Sequence, residues 1–435
     1  MDRPAPQHIT VDPWFDSYAR RTSGLSASEV RALFAVANRP EVVSLAGGMP
    51  FVRALDNERI KATLERVMDQ HGPQALQYGS GQGDPGLRER ILDVMSPEGI
   101  SARADDIIVT TGSQQGLDLL AKLMLNPGDV ILAESPSYVG AIGVFRSYEA
   151  QIEHVAMDEH GLIPEALTET IQKVRAEGRT IKMIYVIPNF HNPAGVTLQA
   201  RRRSEILDIA KSHEILLVED NPYGLLWFDS PAPAAIRSAD DTGVVYLGSF
   251  SKTFAPGLRV GWIVAPHGIR EKLVLLAEAA ILCPSSFTQH VVRDYLEVED
   301  WRAQVDIFRG IYRERRDTIV DALAKELPGL AHTTPNGGFY VWVTLPEGLD
   351  SKDMLPRAVT ELVAYTPGTA FYAHGEGRGN LRLAFCYPEP DYLREGIRRL
   401  AKVIRDELQL VQEFGGRSIP STVDPHVDAP PPHIR

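Results

Sequence analysis

The residue with the clearest chemical potential is Lys252, in Ser249-Phe250-Ser251-Lys252 at the end of the apolar run Val244-Val245-Tyr246-Leu247. Most lysines are solvated surface charges. One held in apolar surroundings has a lowered pKa and a nucleophilic amine that can form a Schiff base with a carbonyl cofactor. Downstream, Phe254-Ala255-Pro256-Gly257-Leu258-Arg259-Val260-Gly261-Trp262 keeps the surroundings largely uncharged while supplying Arg259. Ser249, Ser251 and Arg259 together offer hydroxyls and a fixed cation to a phosphate. Ser113-Gln114, at an expected helix start, offers backbone amides to the same anion, and Ser113 can cap its helix as well.

Other candidates share one position, just past a strand. Asp220 ends Ile215-Leu216-Leu217-Val218-Glu219-Asp220. Alone it could merely cap Asn221-Pro222; against a pyridinium nitrogen it would keep that nitrogen protonated and make the ring an electron sink. Asn192 and Tyr223 can hydrogen-bond a phenolic oxygen on such a ring. Tyr138 can stack on its face, or serve as core.

The elements that must hold these residues alternate regularly. Short apolar runs at 107–110, 130–133, 182–186, 215–218 and 244–247 are separated by segments of helical spacing, which predicts a mostly parallel sheet covered on both faces. Ligands bind such sheets at the carboxyl ends of the strands, where the candidates stand. Ser28 is placed to cap a helix over 27–37, and another helix is expected over 57–70. After about residue 285 the texture shifts to a long charged helix over 286–327 and shorter strands and helices to about 410, and then to a Pro-, Ser- and His-rich tail expected to be disordered.

These segments, in order over roughly residues 25–410, resemble the class I/II aminotransferases of the fold type I pyridoxal-phosphate enzymes. The likeness is carried by Ser249-Phe250-Ser251-Lys252-Thr253 with Arg259-Val260-Gly261-Trp262, by Asn192-Pro193-Ala194-Gly195, Asp220-Asn221-Pro222-Tyr223, Gln77-Tyr78-Gly79 and Asn380-Leu381-Arg382-Leu383. Ala27-Ser28-Glu29-Val30-Arg31 and Ser44-Leu45-Ala46-Gly47-Gly48-Met49-Pro50 are most similar to the 2-aminoadipate/kynurenine group. The resemblance implies an α/β fold: a large domain (51–285) with a mostly parallel seven-stranded sheet between helices, a smaller α+β domain (286–410), an N-terminal arm and mobile helix (1–50) and a tail (411–435). It implies pyridoxal 5'-phosphate on Lys252, held by Ser113, Gln114, Tyr138, Asn192, Asp220, Tyr223, Ser249, Ser251 and Arg259, with Tyr78 reaching the phosphate of a neighbouring subunit in a homodimer. Arg382 would clamp a substrate carboxylate, helped by Asn192 and Gly48. Arg31 would meet an acidic side chain, or be a solvated helix charge. The implied reaction moves the amino group of an L-amino acid to a 2-oxo acid such as 2-oxoglutarate or pyruvate, in two half-reactions. Two departures stand out: Ala194 replaces the usual Thr, and Phe51-Val52-Arg53-Ala54-Leu55 lacks the relatives' proline spacing in a region expected to line the substrate pocket. The same cofactor residues would also serve elimination, cyclisation or oxidation of an amino acid.

Composition narrows the alternatives. Over 435 residues, 45 basic against 57 acidic side chains leave a formal charge of −12, which disfavours nucleic-acid and anionic-membrane partners. Some transcription regulators carry an aminotransferase-like domain behind a DNA-binding one, but the first 25 residues, a short stretch, are not expected to supply that module. Cys283 and Cys386 lack metal-ligand spacing and are expected to be reduced and buried; no metal is expected. The apolar run 273–283 is broken by Glu278, and no signal-like start is present, so the chain is expected to be cytoplasmic. Gly81-Gln82-Gly83-Asp84-Pro85-Gly86 matches a dinucleotide fingerprint, yet no apolar strand precedes it, and it is read as a loop presenting Tyr78.

Overall fold

The computed structural model describes residues 12–24, 39 and 41–414. Arg31 with its expected helix, and the tail from residue 415, lie outside the described residues. The strands in chain order are β1 (Val43–Ser44), β2 (Ile107–Thr110), β3 (Val130–Ser135), β4 (Gln151–Asp158), β5 (Gly161–Leu162), β6 (Ile181–Val186), β7 (Leu216–Asp220), β8 (Val244–Ser249) and β9 (Gly261–Val264), then β10 (Ala331–His332), β11 (Tyr340–Thr344), β12 (Val363–Ala364), β13 (Thr366–Pro367) and β14 (Asn380–Ala384).

The main sheet runs β2-β9-β8-β7-β6-β3-β4-β5. Pairing is parallel from β8 through β7, β6 and β3 to β4, and antiparallel where β9 joins β8 and β2 and where β5 joins β4. It therefore has eight strands among the described residues where seven were expected, the short β5 being the addition. Alternate side chains of the apolar strands go to opposite faces. Val130, Leu132, Ile184, Val186 and Leu217 enter one core, while Ile131, Ala133, Met183, Tyr185 and Val218 enter another. This is why the strands read as continuous apolar runs. The order reverses between β3 and β6, and the carboxyl ends of strands flanking such a switch form a crevice.

The second sheet, β10-β11-β14-β13, is antiparallel. The helix expected over 286–327 is two helices, Ser286–Val298 and Trp301–Glu326. Glu299 is extended, and the Asp300 side chain accepts from the Ala303 N–H to start the second helix. Ser286–Val298 packs on the helices Asn57–Ala75 and Pro85–Met95. The last helix spans Pro390–Phe414, so residues 411–414 continue it where the tail was expected to begin. Both thiols are free, but Cys283 is only half-buried. No described helix is long and apolar enough to cross a membrane.

Candidate active site

One cavity of about 610 Å³ opens at the carboxyl ends of the parallel strands. Its walls include Gly48, Ser113, Gln114, Tyr138, Asn192, Asp220, Tyr223, Ser249, Ser251, Lys252 and Arg382, so residues up to 334 positions apart meet there. Each strand contributes where it ends: β2 leads to Ser113, β3 to Tyr138, β6 to Asn192, β7 to Asp220 and β8 to Ser249–Lys252.

Lys252 Nζ donates to the Gly48 carbonyl at 2.9 Å and lies 5.7 Å from the centre of the Phe339 ring. Burial lowers its pKa to about 8, with the Arg382 and Arg259 charges acting in the same direction and the Cys386 thiol opposing them. Much of the amine is therefore neutral near pH 8.

Asp220 is buried, and one of its oxygens accepts from Tyr185 Oη at 2.8 Å. The other oxygen has no hydrogen-bond partner. Burial raises its pKa to about 6. A buried carboxylate oxygen without a donor is costly in isolation, and a cationic ring N–H is the partner that would relieve it.

The anion end is built on the helix Ser113–Met124. Gly112 precedes it at φ +88°, and a Cβ there would lie 2.4 Å from Arg259 Nη2, so glycine lets the guanidinium approach the helix start. Arg259 donates to the Thr111 carbonyl at 2.9 Å and reaches Ser251 Oγ at 3.4 Å. Helix amides, serine hydroxyls and a guanidinium form a phosphate-type cradle. Above it, Tyr138 Oη donates to Gln114 Oε1 at 3.3 Å.

Arg382 sits opposite, 3% exposed, with its guanidinium 4.2 Å from the centre of the Tyr340 ring. It donates to Asn192 Oδ1 at 2.9 Å, the Ala46 carbonyl at 2.6 Å and Thr366 Oγ1 at 3.2 Å, while its Nε is without a partner. Tyr223 and Tyr340 share a 3.3 Å hydrogen bond. A Cβ on Gly48 would stand 1.8 Å from Tyr340 Oη, so glycine is what lets the loop pass over that phenol.

Two expected site residues stand elsewhere. Tyr78 is 78% exposed and lines a separate groove with Ser286 and His290. Phe51, in the region expected to line the substrate pocket, instead lies under the Arg315 guanidinium at 3.9 Å, its N–H donating to Tyr312 Oη. None of residues 51–55 lines the cavity, whereas Gly48, just before them, does. Conversely, Tyr340, Tyr185 and the wall of Gly140, Gly143, Val144 and Ser147 were missed. Tyr185 read as one more apolar strand residue, and Tyr340 lies in a strand of the other sheet.

The pattern of aminotransferase class I and II matches residues 42–400. The chain belongs to the class I and II aminotransferases. Aromatic-amino-acid aminotransferase 1 of Thermococcus litoralis is 40% identical over 90% of this chain and 95% of its own length. A Pyrococcus horikoshii kynurenine aminotransferase, solved with PMP, KYN and KYA, superposes with a TM-score of 0.86 at 39% identity, covering 90% of this chain and 97% of that one. LysN, the α-aminoadipate aminotransferase from Thermus thermophilus complexed with N-(5'-phosphopyridoxyl)-L-leucine, gives 0.84 at 32% identity over 92% and 100%. This aminotransferase is thus a fold type I enzyme whose cofactor is pyridoxal 5'-phosphate. The free oxygen of Asp220, the anion cradle and the half-buried amine of Lys252 would fit the ring nitrogen, phosphate and carbonyl of such a cofactor.

Proposed function

We propose that the enzyme moves the amino group of an amino acid with a long or aromatic side chain to 2-oxoglutarate or pyruvate, in two half-reactions at this cavity. The observation that carries the reading is the grouping of Lys252, Asp220 and Arg382 around one space, the last two buried and Lys252 half-buried, each with an unmet or perturbed polar atom. Relatives named for aromatic amino acids, kynurenine and 2-aminoadipate support the donor class. So does the room beside Gly140, Gly143, Val144 and Ser147.

In this reading Lys252 holds the cofactor's carbonyl carbon through Nζ, and Ser113, Gln114, Ser249, Ser251 and Arg259 hold its phosphate. Asp220 would face the ring nitrogen, Asn192 and Tyr223 the phenolic oxygen, and Tyr138 would cover the ring. When bound, the cofactor withdraws electrons from the substrate α-carbon. Arg382 takes the substrate carboxylate by paired hydrogen bonds and so orients the α-hydrogen. Lys252, with a pKa suited to exchange near neutrality, would take that proton from the α-carbon and return it at the cofactor's carbonyl carbon.

Tyr78 serves the partner's phosphate in a homodimer, a role that its exposure supports. The test is a donor and acceptor screen with the holoenzyme. Keto acid and new amino acid should appear in equal amounts, only when a 2-oxo acid is supplied. Product formed without an acceptor would instead indicate elimination.

A further inference from the structure

The ring-facing atoms of the proposed site come from two turns: 188–195, carrying Asn192, and 220–223, which starts at the last residue of β7 and carries Asp220 and Tyr223. Asn192 bonds neither Asp220 nor Tyr223, yet the ring must meet both turns. A second set of side chains, none of them lining the cavity, ties the turns together from behind.

Asn189 Nδ2 donates to Asn221 Oδ1 at 2.9 Å, and the two residues are 1% and 5% exposed. Each amide spends its other end on a fixed anchor. Asn189 Oδ1 accepts from Arg203 Nη2 at 2.5 Å, and Arg203 also donates to the carbonyls of Pro188, Leu198, Pro233 and Ala234. Asn221 Nδ2 donates to Glu98 Oε1 at 2.6 Å, and Tyr246 Oη donates to the other oxygen of the same carboxylate. Glu98 lies in the surface turn Ser96–Glu98, with its carboxylate directed inward onto these buried partners. Its pKa is raised to about 7, chiefly by burial, with the nearby Glu219 acting the same way and the bonds from Tyr246 and Asn221 opposing. Buried amides in low dielectric are costly unless every atom is matched, and a matched network admits few alternative geometries. Asn221 is bonded to Asp220 through one peptide, and Asn189 precedes Asn192 by three residues.

We infer that the Asn189–Asn221 pair, anchored by Arg203 and Glu98, is a positioning device that sets the separation of Asn192 and Asp220 across the cofactor ring. The inference rests on the assignment of those two residues to the ring. It is tested on the holoenzyme by the pH titration of the visible band of the lysine-bound cofactor, which reports the hydrogen bonds at the ring, with thermal stability measured alongside. Asn221→Ala, Asn189→Ala and Glu98→Ala are each expected to move the band's midpoint by about half a pH unit or more. The Asn189/Asn221 double variant should move it little further than either single one, because one bond is lost in all three. Glu98→Gln, which keeps an acceptor for Asn221, should move it less than Glu98→Ala. If the asparagine variants do not fold, the two Glu98 variants on the surface turn carry the measurement.

A lower melting temperature with an unmoved midpoint would overturn the inference and leave a purely structural network. Asp220→Asn separates the two claims. A shift there without one in Asn221→Ala rejects the positioning role alone, while no shift in Asp220→Asn removes the ring assignment and the inference with it.

Discussion

The pKa of Lys252 is the most direct physical consequence of the site, and it can be measured in the apoenzyme. Burial takes the amine from an ordinary 10.5 to about 8. At pH 7.5 an amine of pKa 8 is about one-quarter neutral, and one of pKa 10.5 about 0.1% neutral, a difference of roughly 200-fold. The gain in rate is smaller, because a less basic amine is intrinsically less nucleophilic, but the midpoint of the pH profile is unaffected by that. Competitive acetylation by trace acetic anhydride, followed by digestion and mass spectrometry, reads this midpoint at Lys252 with exposed lysines of the same sample as reference. The rate at Lys252 should level off above about pH 8, while exposed lysines continue to accelerate toward ~10.4. Replacing Arg382 by Met removes one of the cations that disfavour the ammonium, so the midpoint should rise, though not to the ordinary value because burial is the larger cause. A Lys252 midpoint near 10 in the unchanged chain would refute the reasoning. The amine would then be hydrated, and the contacts with the Gly48 carbonyl and the Phe339 face would not describe its environment.

Further outcomes follow from the same geometry. Gly48→Ala places a methyl 1.8 Å from Tyr340 Oη, and Tyr340 is pinned between Tyr223 and Arg382, so the loop must shift; a stability loss of ~1–3 kcal/mol by urea titration is expected, together with a raised KM. Arg382→Lys keeps the charge but loses the planar fork, and KM for the amino donor should rise ~10-fold or more in steady-state assays. Asp220 and Glu98 have folded pKa values raised to about 6 and about 7, so the folded apoprotein binds these protons more tightly than the unfolded chain does. Their contribution to stability is present at low pH and is lost as pH rises through those values. Asp220→Asn and Glu98→Gln should each remove about one proton from the pH dependence of the urea midpoint between about pH 4 and 7, and an unchanged slope in either would contradict the assignment.

How much could be read in advance divides along a physical line. The alternation of apolar runs and helical segments announced the parallel sheet, because strands buried on both faces must be apolar at every position. Residues at strand ends are polar against that background, so Asp220, Asn192, Ser113 and Lys252 stood out and proved to share one cavity. The break at Glu299-Asp300 was not legible, since the helical spacing continues across it and only the cap reveals the restart. Phe51 was misplaced because an aromatic beside a glycine loop fits a pocket or a cation equally well, and Arg315 lies 264 positions away.

The order of residues along the chain therefore sets local properties: which side chains have the chemistry of a nucleophile, an acid or an anion binder, and which runs must be buried. What each of them faces is set by the folded arrangement. The free oxygen of Asp220, the lowered pKa of Lys252, the Tyr340 phenol over Gly48 and the Asn189–Asn221 link all depend on segments far apart in the chain closing on one another. Desolvation and hydrogen bonding are properties of that closed arrangement, and no stretch of residues carries them alone.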